Sequence, residues 1–260
     1  AQDKPFFVLA PMADVTDTVF RQIVAGCGRS TGLTVNGPDV FFTEFVSCDG
    51  LCSKGKAKLL NTLKFNKKLE RPIVAQFFGS KPENFYKCAQ LAQKLGFDGS
   101  DINMGCPDKK IEKQGAGAAL IKTPKLAQQI IAETKRGAAS AGRQIPVSVK
   151  TRIGFNKSEI ETWIPALLKA EPAAIILHGR TRKEMSKAPA HWDLIGQAAK
   201  IVKRSGRQTL IIGNGDVTSL ADAEQKAKRY GLDGVMVGRG IFANPWFFNP
   251  AINPFEIKPE

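Results

Sequence analysis

"TLIIGNGDVTSLADAEQKAKRYGLDGVMVGRG", residues 209–240, holds two short runs of apolar, partly β-branched residues, 209–213 and 234–238. Each run ends in a glycine-bearing turn, GNGD after the first and GRG after the second. A run that is apolar throughout, rather than alternating, suits a parallel strand covered on both faces. The polar, alanine- and lysine-rich stretch over 219–230 predicts the helix that returns the chain for the next parallel strand.

The same unit recurs along the chain. Strand-like runs are read at 5–12, 40–48, 72–78, 99–105, 146–153 and 173–178, besides the two above. Helices are expected at 16–25, 124–136, 158–169, 193–204 and 219–230. Ser80-Lys81-Pro82-Glu83 reads as a capping box with proline in the first turn, and Thr123-Pro124 offers a similar start. Eight strands alternating with helices predict a single-domain α/β fold, the (β/α)8 TIM barrel, whose usual length is about 250 residues. A doubly wound open sheet is the competing arrangement. It usually needs fewer strands, and no G-x-G-x-x-G follows the first strand. The barrel is expected over residues 1–245. Residues 246–260, with three prolines, read as a tail or the start of a helical domain.

Lys and Arg total 38 against 24 Asp and Glu, a formal charge of +14 that favours an anionic partner, nucleic acid above all. No long apolar run is free of charge, and residues 6–12 are too short for a secretory leader, so no membrane association is expected. The five cysteines, an odd number without a secretory signal, suggest reduced thiols and a cytoplasmic protein. Cys48 and Cys52 could form half of a zinc site, but no second pair or nearby histidine completes one, so no metal is expected. Cys88 shares a helical face with Phe85, Ala89, Ala92 and Leu95, which is core spacing.

In barrels of this kind catalytic groups gather where strands end at the C-terminal face. The polar residues there are Gln76 on the third strand, Asn103 and Cys106 on the fourth, Lys150 and Arg152 on the fifth, and His178 and Arg180 on the sixth. The turns Asn214-Gly215-Asp216 and Gly238-Arg239-Gly240 end the last two strands, where such barrels commonly bind phosphate. Arg239 adds charge and a forked donor. Lys150 could form a Schiff base or hold an electron-rich cofactor atom. Gln76 could pair with a flavin's polar edge through an amide that donates and accepts. His178 is either a site residue or a satisfied core histidine, and His191 is assigned no chemistry. Lysines at 54, 56, 58, 64, 67 and 68, with Arg71, form a basic stretch that reads as a solvated face or as a nucleic-acid contact.

The segments APMADVTDTVFR (10–21), QFFGS (76–80), DINMGCPDKKIEKQGAGAALIKTP (101–124), VKTRIGF (149–155), LHGRTR (177–182), IIGNGDVTS (211–219) and DGVMVGRGIFANPWFF (233–248) occur in the order seen in tRNA-dihydrouridine synthases. The chain resembles that family over nearly its whole length. The resemblance implies an FMN barrel that reduces uridine in tRNA to 5,6-dihydrouridine, with NADPH restoring the flavin. It puts Pro11, Met12, Ala13, Gln76, Lys150, His178, Asn214, Gly215, Asp216, Gly238 and Arg239 on FMN-binding positions, and Cys106 on the catalytic acid. Asn103, Lys109, Lys110, Arg180 and Arg182 are expected to meet the tRNA, and no protein partner is implied. Gly115 and Gly117 are expected to let the loop move over a bound base. Family members generally continue past the barrel into a helical domain that helps grip tRNA. The rival enzyme is a dihydroorotate dehydrogenase-like flavin barrel acting on a free pyrimidine. A tRNA-binding module without catalysis is the rival from another class.

Overall fold

The computed structural model describes residues 4–27, 37–140 and 142–249. Its strands are β1 (Phe6–Leu9), β2 in two segments (Phe41–Phe42 and Val46–Ser47), β3 (Ile73–Phe78), β4 (Gly99–Met104), β5 (Val147–Arg152), β6 (Ala174–His178), β7 (Leu210–Asn214) and β8 (Gly234–Val237). Every pairing is parallel and runs in chain order from β2 to β8, with β8 beside β1. A parallel bridge between Val8 and Val40 joins β1 to the start of β2 and nearly closes the ring. The barrel expected from the sequence is therefore the fold observed.

Both segments of β2 pair with β3, with Thr43 to Phe45 between them outside the ladder. The sequence read this stretch as one continuous strand. Helices follow the strands at Thr18–Cys27, Pro82–Leu95, Pro124–Ala138, Ile160–Leu168, Trp192–Arg204 and Leu220–Tyr230. The Ser80 capping box does not form. Helix Pro82–Leu95 has Lys81 at its N-cap and no side-chain cap, with Pro82 in its first turn. The glutamate-proline arrangement starts the helix by fixing backbone angles rather than by a reciprocal hydrogen-bond pair.

Two apolar zones organise the chain. The larger lies between the strands and the surrounding helices and includes Cys88 with Phe85, Ala89 and Ala92. The smaller fills one end of the barrel interior with Val8, Phe42, Ala174, Ile176, Ile212 and Met236. Strand alternation then makes the other interior positions polar. Gln76, Asp101 and Ser148 stand side by side in register, as do Asn103 and Lys150, and His178 and Asn214. Polar groups inside a barrel are costly unless they bond to one another or to something bound, so these set the site. Phe247 and Phe248 are buried against the larger core, and residues 250–260 of the expected tail lie outside the described residues.

The segment before β3 is tied down by charge. Arg21, on the first helix, pairs with Glu70 at 2.5 Å, and both side chains are fully buried. Arg21 also donates to the carbonyls of Thr16 (2.6 Å) and Lys64 (2.8 Å). Thr16 Oγ1 in turn accepts from Met12 N–H at 2.8 Å, which fixes the turn leaving β1. Among the described residues no helix is long and apolar enough to cross a membrane, and no cluster of three or more His, Cys, Asp or Glu residues is placed to hold a metal.

Candidate active site

A cavity of about 610 Å³ opens at the C-terminal ends of the strands, within the usual size range of cofactor sites. Pro11, Met12, Lys150, His178, Asn214, Gly215, Asp216, Gly238 and Arg239 line it, so nine residues expected around the flavin come together there. Arg152, Arg180 and Pro107 also line it. Ala13 is exposed on the same turn as Met12. Gln76 and Asn103 are buried and bonded to each other, and they connect to the Cys106 backbone rather than to the cavity wall.

The cavity is cationic. Lys150 Nζ donates to Asn214 Oδ1 at 3.1 Å, and the Asn214 amide donates to the Met236 carbonyl at 2.8 Å. Burial, helped by the nearby Arg152 cation, brings the Lys150 pKa down to about 8. Burial also lowers the Arg152 pKa, to about 10, still well above neutrality. His178 is pushed well below the usual imidazole range by burial and by the surrounding cations Lys150, Arg152, Arg180 and Arg239, which keeps its ring neutral. Arg180 Nη1 lies 3.3 Å from His178 Nε2, so that nitrogen is the acceptor and the ring proton belongs on Nδ1.

Asp216 supplies the counter-charge. Arg180 donates to both of its carboxylate oxygens, at 2.8 and 2.6 Å, and Ala190 N–H donates to one of them at 2.8 Å. Burial raises this carboxyl, but the Arg180 and Ala190 bonds outweigh it and leave the pKa below its ordinary value. Asp216 also stands 3.7 Å from the mostly exposed Arg239 guanidinium. The carboxylate expected to touch the flavin thus has its own partners, and it braces Arg180 across the cavity floor. Arg180 is nearly buried by this and by a bond to the Ala188 carbonyl.

Cys106 is not among the residues lining the cavity; it stands one residue before Pro107, which is. Its N–H and that of Gly105 donate to Asn103 Oδ1, at 2.9 and 3.1 Å. Ala118 N–H donates to the Cys106 carbonyl at 3.0 Å. Gly117 sits at φ 60°, and a Cβ there would fall 2.8 Å from the Cys106 carbonyl oxygen. This glycine serves close packing beneath Cys106, within the buried segment Ala116–Ile121. Burial raises the Cys106 thiol pKa despite the Asp108 backbone N–H, which lowers it. The thiol therefore keeps its proton at neutral pH.

The remaining expected contacts lie outward. Lys109 and Lys110 are exposed on the short helix Lys109–Glu112, whose N-cap Asp108 accepts from Lys110 N–H at 2.7 Å. Arg182 is paired with Glu112 on that same helix and stacks on Phe155, its guanidinium 5.3 Å from the ring centre. It links the loop after β6 to the loop carrying Cys106. His191 bonds Glu184 through Nε2 at 2.7 Å, outside the cavity lining.

Residues 8–260 match the sequence model of the family described as dihydrouridine synthase. The chain belongs to that family. It is 44% identical over 247 residues to a protein of Bacillus subtilis (strain 168) named probable tRNA-dihydrouridine synthase 2, covering 94% of this chain and 71% of that one. A probable tRNA-dihydrouridine synthase of Staphylococcus aureus (strain COL) is 42% identical over 247 residues, with the same coverage of each chain. Histamine dehydrogenase from Rhizobium sp. 4-9 superposes with a TM-score of 0.64 at 11% identity, covering 93% of this chain and 44% of that one, a likeness of fold alone. The chain is accordingly an enzyme, an oxidoreductase of the dihydrouridine synthase family.

Two groups in the site escaped sequence reading. Arg152 is a strand-end residue to which the sequence assigns no role; its Nε donates to the Gly105 carbonyl at 2.7 Å and its Nη1 to Thr181 and Met185 carbonyls at 3.2 and 3.0 Å. Asp101 shares with Asn103 the face opposite Ile102 and Met104. That alternation with Ile102 and Met104 is the available signal.

Proposed function

We propose that this enzyme reduces uridine in tRNA to 5,6-dihydrouridine, using FMN that NADPH keeps reduced, with Cys106 as the acid. The observation that carries the reading is a cationic cavity of cofactor size whose lining residue Pro107 directly follows Cys106, a thiol pinned by its backbone. The cavity's chemistry suits FMN. A phosphate dianion needs positive charge, and Arg239 with the turns at Gly215 and Gly238 offers it beside a carboxylate already neutralised by Arg180. A Cβ on Gly238 would come no closer than 3.7 Å to Ala10 and 3.9 Å to Met12, which leaves room beside that turn. Lys150 and the neutral His178 are the groups that would face the electron-rich edge of the ring.

When bound, reduced FMN supplies the hydride that goes to uracil C6. Cys106 holds the proton that C5 takes up, and its raised pKa keeps that proton in place until the base arrives. Pro107 and the packing of Gly117 keep the thiol from swinging away. The base must leave its stack to reach this depth, at a cost of a few kcal/mol. Exposed Lys109, Lys110, Lys183 and Lys187 on the neighbouring loops are placed to offset that cost through backbone phosphates. Reduced thiols and a tRNA substrate fit a cytoplasmic setting.

The test is mass spectrometry of unmodified tRNA after incubation with the enzyme and NADPH. A gain of two hydrogens on uridine is expected. Reduction of free uridine or orotate with tRNA left untouched would return the small-pyrimidine reading.

A further inference from the structure

Inside the barrel, below the thiol, four polar side chains form a chain of hydrogen bonds whose donors all point toward Asp101. Ser148 Oγ donates to Asp101 Oδ1 at 2.5 Å. Gln76 Nε2 donates to Asp101 Oδ2 at 2.7 Å. Asn103 Nδ2 donates to Gln76 Oε1 at 3.0 Å. Asn103 Oδ1 then accepts from the N–H groups of Gly105 and Cys106. Gln76 and Asp101 are fully buried and Asn103 nearly so.

Two of these links are carboxamides, which fit a pocket almost equally well with oxygen and nitrogen exchanged. The reverse arrangement would turn the Asn103 amino group toward two backbone N–H donors, and nothing would accept them. Those two donors disfavour it from the loop side, and Asp101 disfavours it from the other end. A carboxylate can only accept, so it forces the Gln76 amino group toward itself and its oxygen toward Asn103. Asn103 must then donate to Gln76 and show its own oxygen to the loop.

We propose that Asp101 is a positioning residue: from inside the barrel it fixes the orientation of the Gln76 and Asn103 amides and thereby where the Cys106 backbone stands. Lys150 is the charged group whose field reaches it, and burial raises the Asp101 pKa to about 6, so it is mainly ionised at neutral pH. The carboxylate is tolerated in this interior because two donors and a cation attend it. The inference deepens the reading of Cys106 as the acid, yet the geometry it concerns exists without tRNA.

The test uses the flavin-loaded protein as purified and two readouts that need no turnover. One is hydrogen exchange at Gly105 and Cys106, followed by mass spectrometry; the other is the rate at which iodoacetamide alkylates Cys106. In Asp101→Leu, which removes the acceptor, exchange at those two amides should rise by about tenfold and alkylation should change with it, while peptides over 210–240 keep wild-type protection. Asp101→Asn can show either its oxygen or its amino group to Gln76, so it no longer dictates one orientation and should raise exchange part of the way toward the leucine variant. Gln76→Met cuts the middle link with the carboxylate intact and should behave like Asp101→Leu, which keeps the test decisive if the leucine variant does not fold. Unchanged exchange in Gln76→Met, or wild-type exchange in a folded Asp101→Leu or Asp101→Asn, overturns the proposal. A protein that shows the expected exchange pattern but leaves tRNA unreduced would keep the positioning role and remove the tRNA reading instead.

Discussion

Replacing Glu70 by Ala should cost this protein a large part of its stability. Glu70 accepts from Arg21 Nε (2.5 Å), Thr18 Oγ1 (2.6 Å) and Asn66 N–H (2.8 Å), with no solvent exposure. Its removal leaves the Arg21 guanidinium buried between two neutral carbonyls and strands two further donors. Breaking a buried pair from one side costs about 3–5 kcal/mol, against a total stability of about 5–15 kcal/mol. With a urea slope of about 3 kcal/mol/M, a loss of about 4 kcal/mol lowers the unfolding midpoint by about 1.3 M. The double variant Arg21→Met with Glu70→Leu removes both charges and should recover at least about half of that loss. Flavin retention should also fall in Glu70→Ala, because Arg21 holds the Thr16 carbonyl and Thr16 holds Met12 at the cavity. Urea unfolding followed by circular dichroism measures the first two effects. A midpoint drop under about 0.3 M, or about 1 kcal/mol, would refute the idea that Glu70 is what compensates the buried Arg21 charge.

Arg239→Ala should release flavin during dialysis at a rate several-fold above wild type, measured by absorbance of the retained protein; equal retention argues against a phosphate at the last two turns. Binding of tRNA should weaken linearly on a log–log salt plot, and Lys109→Glu with Lys110→Glu should lower that slope by about two phosphates; a salt-independent affinity contradicts an electrostatic grip. Lys150, whose folded pKa lies below its unfolded value, destabilises the charged fold below about pH 8, and that penalty fades as pH rises toward 10.5. Lys150→Met should therefore exceed wild type in urea midpoint at pH 7 by a wider margin than at pH 9.5, and a margin that does not change with pH counts against a desolvated ammonium.

Most of the barrel was legible because parallel strands covered on both faces leave continuous apolar runs, and the turns at 213–216 and 238–240 punctuate them. The break in β2 was not, since Thr43 and Phe45 are themselves strand-like residues and only the pairing with β3 shows the interruption. The site was legible as a set of strand-end residues, but their internal bonding was not. Asp216 looked like a ligand contact, and only the fold shows Arg180 already clasping it. Arg21 and Glu70 lie 49 positions apart, and no local pattern announces that both will be buried. Ser80 looked like a cap because its spacing to Glu83 was right, whereas the chain enters that helix through Lys81. Gly117 suggested a hinge, but its left-handed turn is what lets the backbone pack under Cys106.

The central claim, that the Cys106 thiol delivers the proton to uracil, is tested by single-turnover re-oxidation of the reduced flavin with unmodified tRNA. Cys106→Ala should fold, keep its flavin and be reduced by NADPH as wild type is, since that half-reaction needs no acid over the base. Its re-oxidation by tRNA should be slower by roughly two to four orders of magnitude, the usual worth of a positioned acid, and Cys106→Ser should recover little of the loss. Re-oxidation of Cys106→Ala at the wild-type rate would contradict the account and leave the thiol as a packed residue at the end of β4.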